Sequence, residues 1–340
     1  MKKVILFSVS LVIGVALIVW IYQHIGLRGA LLKFSDLLLW QMVALFLLAL
    51  FKVVFWVARW WVVLKMMGFS NLSFRKLAAA RLGEFAISYL TPGIYWGGEG
   101  IRIFALKNNF NIPLSKGLTS IILDRLFDVI GFCFFIFIGI VVFFFERNLN
   151  AVLFLGLLIL LPSLLLIFIF KFPGLERILS FLARIFRLEK IEYIKRNKES
   201  LRRVGRETVD FFRRPLLQVG TAVILTILGF FAGVCQIIFF LAFLGEHFSL
   251  FNSMIMKILI VISGFIPLPA NLGALEGTNV LVFQGFHFTA ETGLGFSLIT
   301  RLVDFSFVIL GILILIYYFG NYLFSKIMNN KKNNNGLMGQ

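Results

Sequence analysis

Cysteine is almost missing from this sequence, and Cys133 and Cys235 both lie in apolar runs, where a free thiol behaves as a small hydrophobe. No disulfide framework or cysteine-based zinc site is expected. Histidine is as scarce, and His24, His247 and His287 are too scattered for metal-ligand spacing. No Gly-x-x-x-x-Gly-Lys loop occurs, so ATP or GTP is not the expected energy source. Charge is also thin, at 14% of the 340 residues, and the 16 acids face 33 Lys and Arg. A soluble domain of catalytic size has no room in such a chain, and no cofactor, metal or catalytic residue is expected. What fills the sequence instead is apolar, at 60% with 42 Phe, in runs of about twenty residues rather than amphipathic stripes.

Those runs predict an all-α polytopic membrane bundle. Full spans are legible at about 4–22, 37–58, 118–143, 151–170, 217–243 and 293–320. The first follows Met1-Lys2-Lys3 as a signal peptide would, yet it continues into Trp20, Ile21 and Tyr22 without a small-residue cleavage site, so it reads as a retained span. A net charge of +17 would suggest nucleic acid in a soluble protein. Here 13 basic and 6 acidic residues crowd into Lys171–Pro215, and Lys2, Lys3, Arg59, Lys65, Arg75, Lys76, Lys326, Lys331 and Lys332 flank spans. That distribution is a topology signal plus contact with anionic lipid headgroups, and nucleic acid is set aside. With both termini in the cytoplasm of an inner-membrane protein, the outer connections 23–36, 146–150 and 245–250 carry only Arg28, Lys33 and Arg147. The basic segment places Ile178, Phe181, Leu182, Ile185 and Phe186 at helical spacing, which predicts helices lying on the inner leaflet. Trp40, Trp56, Trp60, Trp61 and Trp96 are expected to include interfacial anchors, and residues 329–340 read as a disordered tail.

Leu77–Leu106 and Ser253–Phe288 are apolar but broken by Pro and Gly, leaving arms too short to cross ~30 Å of hydrocarbon. Each is expected to be a re-entrant hairpin, and two short spans would give the same parity. The first turn includes Thr91, Pro92, Gly93, Gly97, Gly98 and Glu99, and the second Pro269, Gly273 and Glu276-Gly277. In both, Glu follows Pro by seven residues. An Arg-x-x-Asp follows in each half, Arg125 with Asp128 and Arg301 with Asp304, at 26 and 25 residues from the glutamate. The expected domain is therefore a single one over 1–328. Its two repeats, at about 37–170 and 216–320, are inverted about the basic segment 171–215, as in transporters that bind substrate between broken helices.

Arg81, Glu84, Glu99, Asp124, Arg125, Asp128, Glu276, Arg301 and Asp304 all fall at membrane depth, where each charge facing lipid would cost on the order of 3 kcal/mol. They must face one another, water or a ligand. Arg81–Glu84, Arg125–Asp128 and Arg301–Asp304 are spaced for ion pairs on one helix face. These pairs either lock the bundle or leave Arg125 and Arg301 with donors for a lipid phosphate. Lys52 and Lys257 also lie deep enough to pair, snorkel or meet substrate.

At Arg81-Leu82-Gly83-Glu84, Thr91-Pro92-Gly93, Gly97-Gly98-Glu99, Asp124-Arg125-Leu126 with Asp128, and Pro267-Leu268-Pro269 with Gly273 and Glu276-Gly277, the sequence resembles the lysylphosphatidylglycerol synthase transmembrane region family. The resemblance spans about residues 4–320 and implies a flippase-like domain that moves a lipid between leaflets. Larger members attach the amino acid with a separate soluble domain, and that synthase domain is expected to be missing here. Ala270-Asn271-Leu272 departs from the glycine-rich turn of the family. The expected partner is a phospholipid or a polyprenyl-phosphate-linked lipid, and a homo-oligomer stays open. The rival readings are a membrane-embedded enzyme acting on a lipid phosphate and a non-transporting partner of a lipid-modifying transferase. The enzyme would need a nucleophile and a metal-binding acidic cluster that the sequence does not display.

Overall fold

A computed structural model describes residues 2–91, 97–146, 198–246, 248–264, 266 and 268–337, and every regular element among them is helical. The elements are α1 (Lys2–Ile25), α2 (Leu27–Ser35), α3 (Leu39–Met66), α4 (Phe74–Leu90), α5 (Glu99–Phe110), α6 (Leu114–Glu146), α7 (Lys198–Phe212), α8 (Leu216–Phe243), α9 (Leu250–Ser263), α10 (Ala274–Gly285) and α11 (Ala290–Leu337). The long helices follow from uninterrupted apolar runs, and α3, α5 and α8 end where glycine or asparagine takes up a left-handed backbone, at Gly68, Asn111 and Gly245. Four stretches, Ser8–Ile25, Leu39–Met66, Leu217–Phe243 and Ala290–Tyr318, are long and apolar enough to cross a membrane. At 28 residues, α3 and α8 each reach about 42 Å. The outer faces of α3, α8 and α11 present Leu39, Leu217 and Ile316 with more than 60% of their surface open, which suits hydrocarbon rather than water.

α3 to α6 and α8 to α11 repeat one order of elements: a long helix, two shorter helices around a break, and another long helix. The packing is reciprocal. α3 lies against α8, while α4 packs on α11 as α9 packs on α6, and α3 touches α11 as α8 touches α6. α3 and α8 run antiparallel: Leu45 near the start of α3 joins Phe240 and Leu241 near the end of α8, whereas Val63 meets Ala222 at the opposite ends. α1 stands outside this repeated order and covers the second break, with Gly14 against Leu272 and Leu17 against Gly273.

Some expectations change here. α11 runs as far as Leu337. Of the basic segment only α7 is described, and the expected leaflet helices around 178–186, like the span at 151–170, lie outside the described residues. α7 is amphipathic: Val204 and Phe211 are buried, Phe211 and Phe212 pack on Phe127 of α6, and Glu207 pairs with Lys116 at 2.8 Å. Trp60 is fully buried rather than interfacial, because its ring carries the Arg102 guanidinium at 4.0 Å and its Nε1 donates to Ser120 Oγ.

Candidate functional site

The first charged cluster forms where α3, α4, α5 and α6 meet. Arg81 and Glu84 are one helical turn apart on α4, and Asp124 and Asp128 one turn apart on α6, so each helix presents two ionisable groups on one face. Asp124 is completely buried and receives three guanidinium groups. Arg59 Nε donates to it at 2.8 Å, Arg81 Nη1 at 2.9 Å and Arg102 Nη1 at 2.9 Å. Glu84 in turn accepts from Arg81 at 2.9 Å, from Arg102 at 3.4 Å and from Arg125 at 3.0 Å. Arg125 also donates to Glu99 at 2.9 Å, tying both arms of the first hairpin to α6. Arg59 reaches Asp128 at 2.7 Å. The cluster thus sets four arginines against four carboxylates, and its accessible edge is Asp128, one-third open, with Arg125 and Glu99 behind it.

At the first break, Gly98 N donates to Ser88 Oγ and Gly97 N to Glu99 Oε2. A Cβ at Gly98 would stand 2.2 Å from the Glu84 carbonyl oxygen, so only glycine lets the two arms close this tightly. Pro92 and Gly93 lie outside the described residues.

The second cluster is centred on Arg301. Its Nε and Nη2 grip the two oxygens of Glu276 at 2.8 and 3.1 Å, its Nη1 donates to Tyr89 Oη at 2.7 Å, and it bonds the carbonyls of Ala270 and Asn271 in the second turn. Tyr89 belongs to α4, so this one side chain joins both hairpins. Pro269 opens the turn, a single 3-10 element over Pro269–Asn271. Ala270 and Asn271 take φ of 51° and 52°, the left-handed conformation that glycine adopts freely and other residues only at a cost. The turn keeps glycine-like geometry without glycine because Arg301 holds both carbonyls. Gly273 has φ 76°, and its N–H is capped by Glu276 Oε2 at 2.9 Å.

The expected residues therefore separate into two groups. Arg81, Glu84, Gly97, Gly98, Glu99, Asp124, Arg125 and Asp128 come together at the first break, and Pro269, Gly273, Glu276 and Arg301 at the second. Of the three same-helix pairs, Arg81–Glu84 forms at 2.9 Å. Arg125–Asp128 is looser at 3.6 Å than the bonds of Arg125 to Glu84 and Glu99. Arg301 pairs with Glu276 instead of Asp304, because a carboxylate brought in by the hairpin offers two-pronged geometry that an i, i+3 neighbour cannot match. Asp304 is buried, and its charge interacts with those of Lys52, Arg301 and Lys257. Sequence reading passed over Arg102 and took Arg59 for a headgroup contact, yet both are completely buried. Arg102 follows Glu99 by three residues, the spacing that revealed the other pairs. Arg59 had only its position inside a long apolar helix to betray it.

Among the described residues no group of three or more His, Cys, Asp or Glu side chains is arranged to hold a metal ion. Glu84, Glu99, Asp124, Asp128 and Glu276 are each paired with a guanidinium group.

The family model for the lysylphosphatidylglycerol synthase TM region matches residues 7–311. A UPF0104 membrane protein of Methanothermobacter thermautotrophicus is 26% identical over 95% of this chain and 98% of its own length. A UPF0104 membrane protein of Methanocaldococcus jannaschii is 21% identical over 88% of this chain and 90% of its own. A third, from Pyrococcus horikoshii, is 29% identical over 55% and 56%.

Proposed function

The chain belongs to the lysylphosphatidylglycerol synthase TM region family, and from that membership we propose that it moves a membrane lipid between leaflets. The headgroup passes along the two charged clusters while the acyl chains stay in the bilayer. The carrying observation is the convergence of two broken-helix turns on α6 and α11 through Arg125–Glu99 and Arg301–Glu276. Charges at membrane depth are expensive unless they serve a polar path, and a self-compensated lining keeps such a path available without leaving a buried charge unpaired. The antiparallel pairing of α3 with α8 supports halves inverted in the membrane plane, which suits alternating access around a site between repeats. In this reading the broken segments are re-entrant, and both termini and the basic 171–215 segment face the cytoplasm of the inner membrane, where the segment meets anionic headgroups. The family match is to the transmembrane region alone, so the proposed activity is transport rather than lipid synthesis.

The test is purified protein in liposomes carrying fluorescent phosphatidylglycerol in both leaflets. Transport exposes inner-leaflet label to an impermeant quencher added outside. Label that stays protected at the rate of empty liposomes sinks the reading. Chemical turnover of the lipid would point to an enzyme, and neither result to a partner protein.

A further inference from the structure

The two clusters use their arginine forks unequally. A guanidinium carries its Nε and Nη2 donors side by side on one edge, a pair matched to two oxygens of a carboxylate or phosphate. Arg301 turns that edge to the two oxygens of Glu276, at 2.8 and 3.1 Å. Arg102 does not. Its Nη1 alone meets the first cluster, at 2.9 Å from Asp124 and 3.4 Å from Glu84, while its Nε and Nη2 have no hydrogen-bond acceptor among the described residues. The side chain is completely buried, so both donors have lost their hydration with no bond to replace it.

The fork is also held in place. The Arg102 guanidinium lies 4.0 Å from the Trp60 ring, whose Nε1 donates to Ser120 Oγ at 3.3 Å, and Ser120 donates in turn to the Gly117 carbonyl at 2.7 Å. Nη1 anchors the far side of the guanidinium on carboxylates from α6 and α4. A donor edge fixed by a ring and by two carboxylates is preorganised for an incoming oxyanion. Charge points the same way. The side chains of Arg59, Arg81 and Arg102 are at most 8% open, but only Asp124 and Glu84 among the carboxylates lie that deep. Glu99 is 14% open and Asp128 33%, where water weakens their hold on the interior. Glu99 precedes Arg102 by one turn of α5, so a single helical turn separates Arg102 from the accessible edge of the cluster.

We propose that the Nε and Nη2 edge of Arg102 is a phosphate site that takes two oxygens of one headgroup phosphate. That the phosphate belongs to a lipid rests on the transport reading above, whereas the site itself is argued from the donors. Arg102 is completely buried, so phosphate reaches the fork only as α5 and its neighbours part. The assignment departs from the sequence expectation, in which Arg125 and Arg301 offered donors to phosphate. The fork of Arg301 is closed by Glu276, and Arg125 is bound to Glu84 and Glu99. A phosphate on Arg102 leaves those pairs intact, and no buried carboxylate is stripped of its partner. A lysine in its place keeps one ammonium for Asp124 but has no paired donor edge.

The experiment is thermal unfolding of the full chain in detergent, with phosphatidylglycerol, diacylglycerol, soluble glycerophosphoglycerol or inorganic phosphate added. Phosphatidylglycerol is expected to raise the wild-type midpoint by several degrees and diacylglycerol not at all. Arg102→Lys should keep its lipid-free midpoint near wild type, because an ammonium still faces Asp124, and should lose most of the lipid shift with the fork. If that variant does not fold, Arg102→Gln combined with Asp128→Asn removes one charge of each sign and reads the same shift. If neither folds, hydrogen exchange of the wild type decides: phosphatidylglycerol but not diacylglycerol should slow exchange over Glu99–Phe110, and no change there overturns the site. A wild-type lipid shift in either variant, or an equal shift from diacylglycerol, also overturns it. An equal shift from the soluble diester or inorganic phosphate upholds the fork and overturns its assignment to lipid. Liposome transport separates the two readings. Wild-type transport by Arg102→Lys removes the site and leaves transport standing, while an Arg102-dependent shift in a protein that moves no lipid upholds the site and removes transport.

Discussion

Asp124 is the residue on which the first cluster depends, since three arginines from three helices end on one carboxylate. Removing its charge leaves buried guanidinium groups undercompensated, and breaking a buried pair in this way costs about 3 to 5 kcal/mol. Asp124→Asn is expected to lose most of its folded, monodisperse yield in detergent. Asp128→Asn, at a position one-third open to solvent, should lose far less. The shared partners also mean that Arg125 and Asp128 are no removable unit: deleting both takes one carboxylate from Arg59 and the arginine from Glu84 and Glu99. Arg301 depends on shape as much as on charge. Its planar fork serves Glu276, Tyr89 and two turn carbonyls together, which the point charge of lysine cannot do. Arg301→Lys should raise backbone hydrogen exchange over residues 268–273 and slow lipid transport, and unchanged exchange would show that the turn holds itself.

At the scale of elements, the helices needed only their apolar runs, while the breaks needed partners. Ala270 sits in the left-handed region without being glycine, at a cost of roughly 1 to 2 kcal/mol. A β-branched residue there has no comfortable rotamer. Ala270→Val is expected to destabilise the fold by about 2 kcal/mol, read as a lowered detergent unfolding midpoint, and Ala270→Gly should stay near wild type. The breaks were legible as Pro and Gly in apolar sequence, and the matched Pro-to-Glu spacing marked the two glutamates that meet arginines at corresponding places. Ala270-Asn271-Leu272 departs from the glycine-rich turn of the family, and Arg301 supplies through side-chain bonds what glycine would supply through backbone freedom.

For the whole molecule, the reciprocal contacts of α3–α6 with α8–α11 and the proposed inverted orientation make a topological prediction. A single cysteine introduced at Lys195 in a cysteine-free background should resist an impermeant maleimide added to intact cells and react once the membrane is opened. Rapid labelling from outside would reverse the orientation and move the basic segment away from the inner leaflet.

Hydropathy alone determined that this chain is an all-helical membrane protein, because a run of about twenty apolar residues has few other stable fates. Spacing brought out Arg81, Glu84, Glu99, Arg125, Glu276 and Arg301, and membrane depth brought out Asp124. Their partners were a matter for tertiary structure. Sequence neighbours such as Arg301 and Asp304 share a helix face, but a hairpin can deliver a carboxylate from 25 residues away in better geometry. Arg59 and Arg102 looked ordinary in the chain, and only the packing of α3 and α5 against α6 turned them inward onto Asp124.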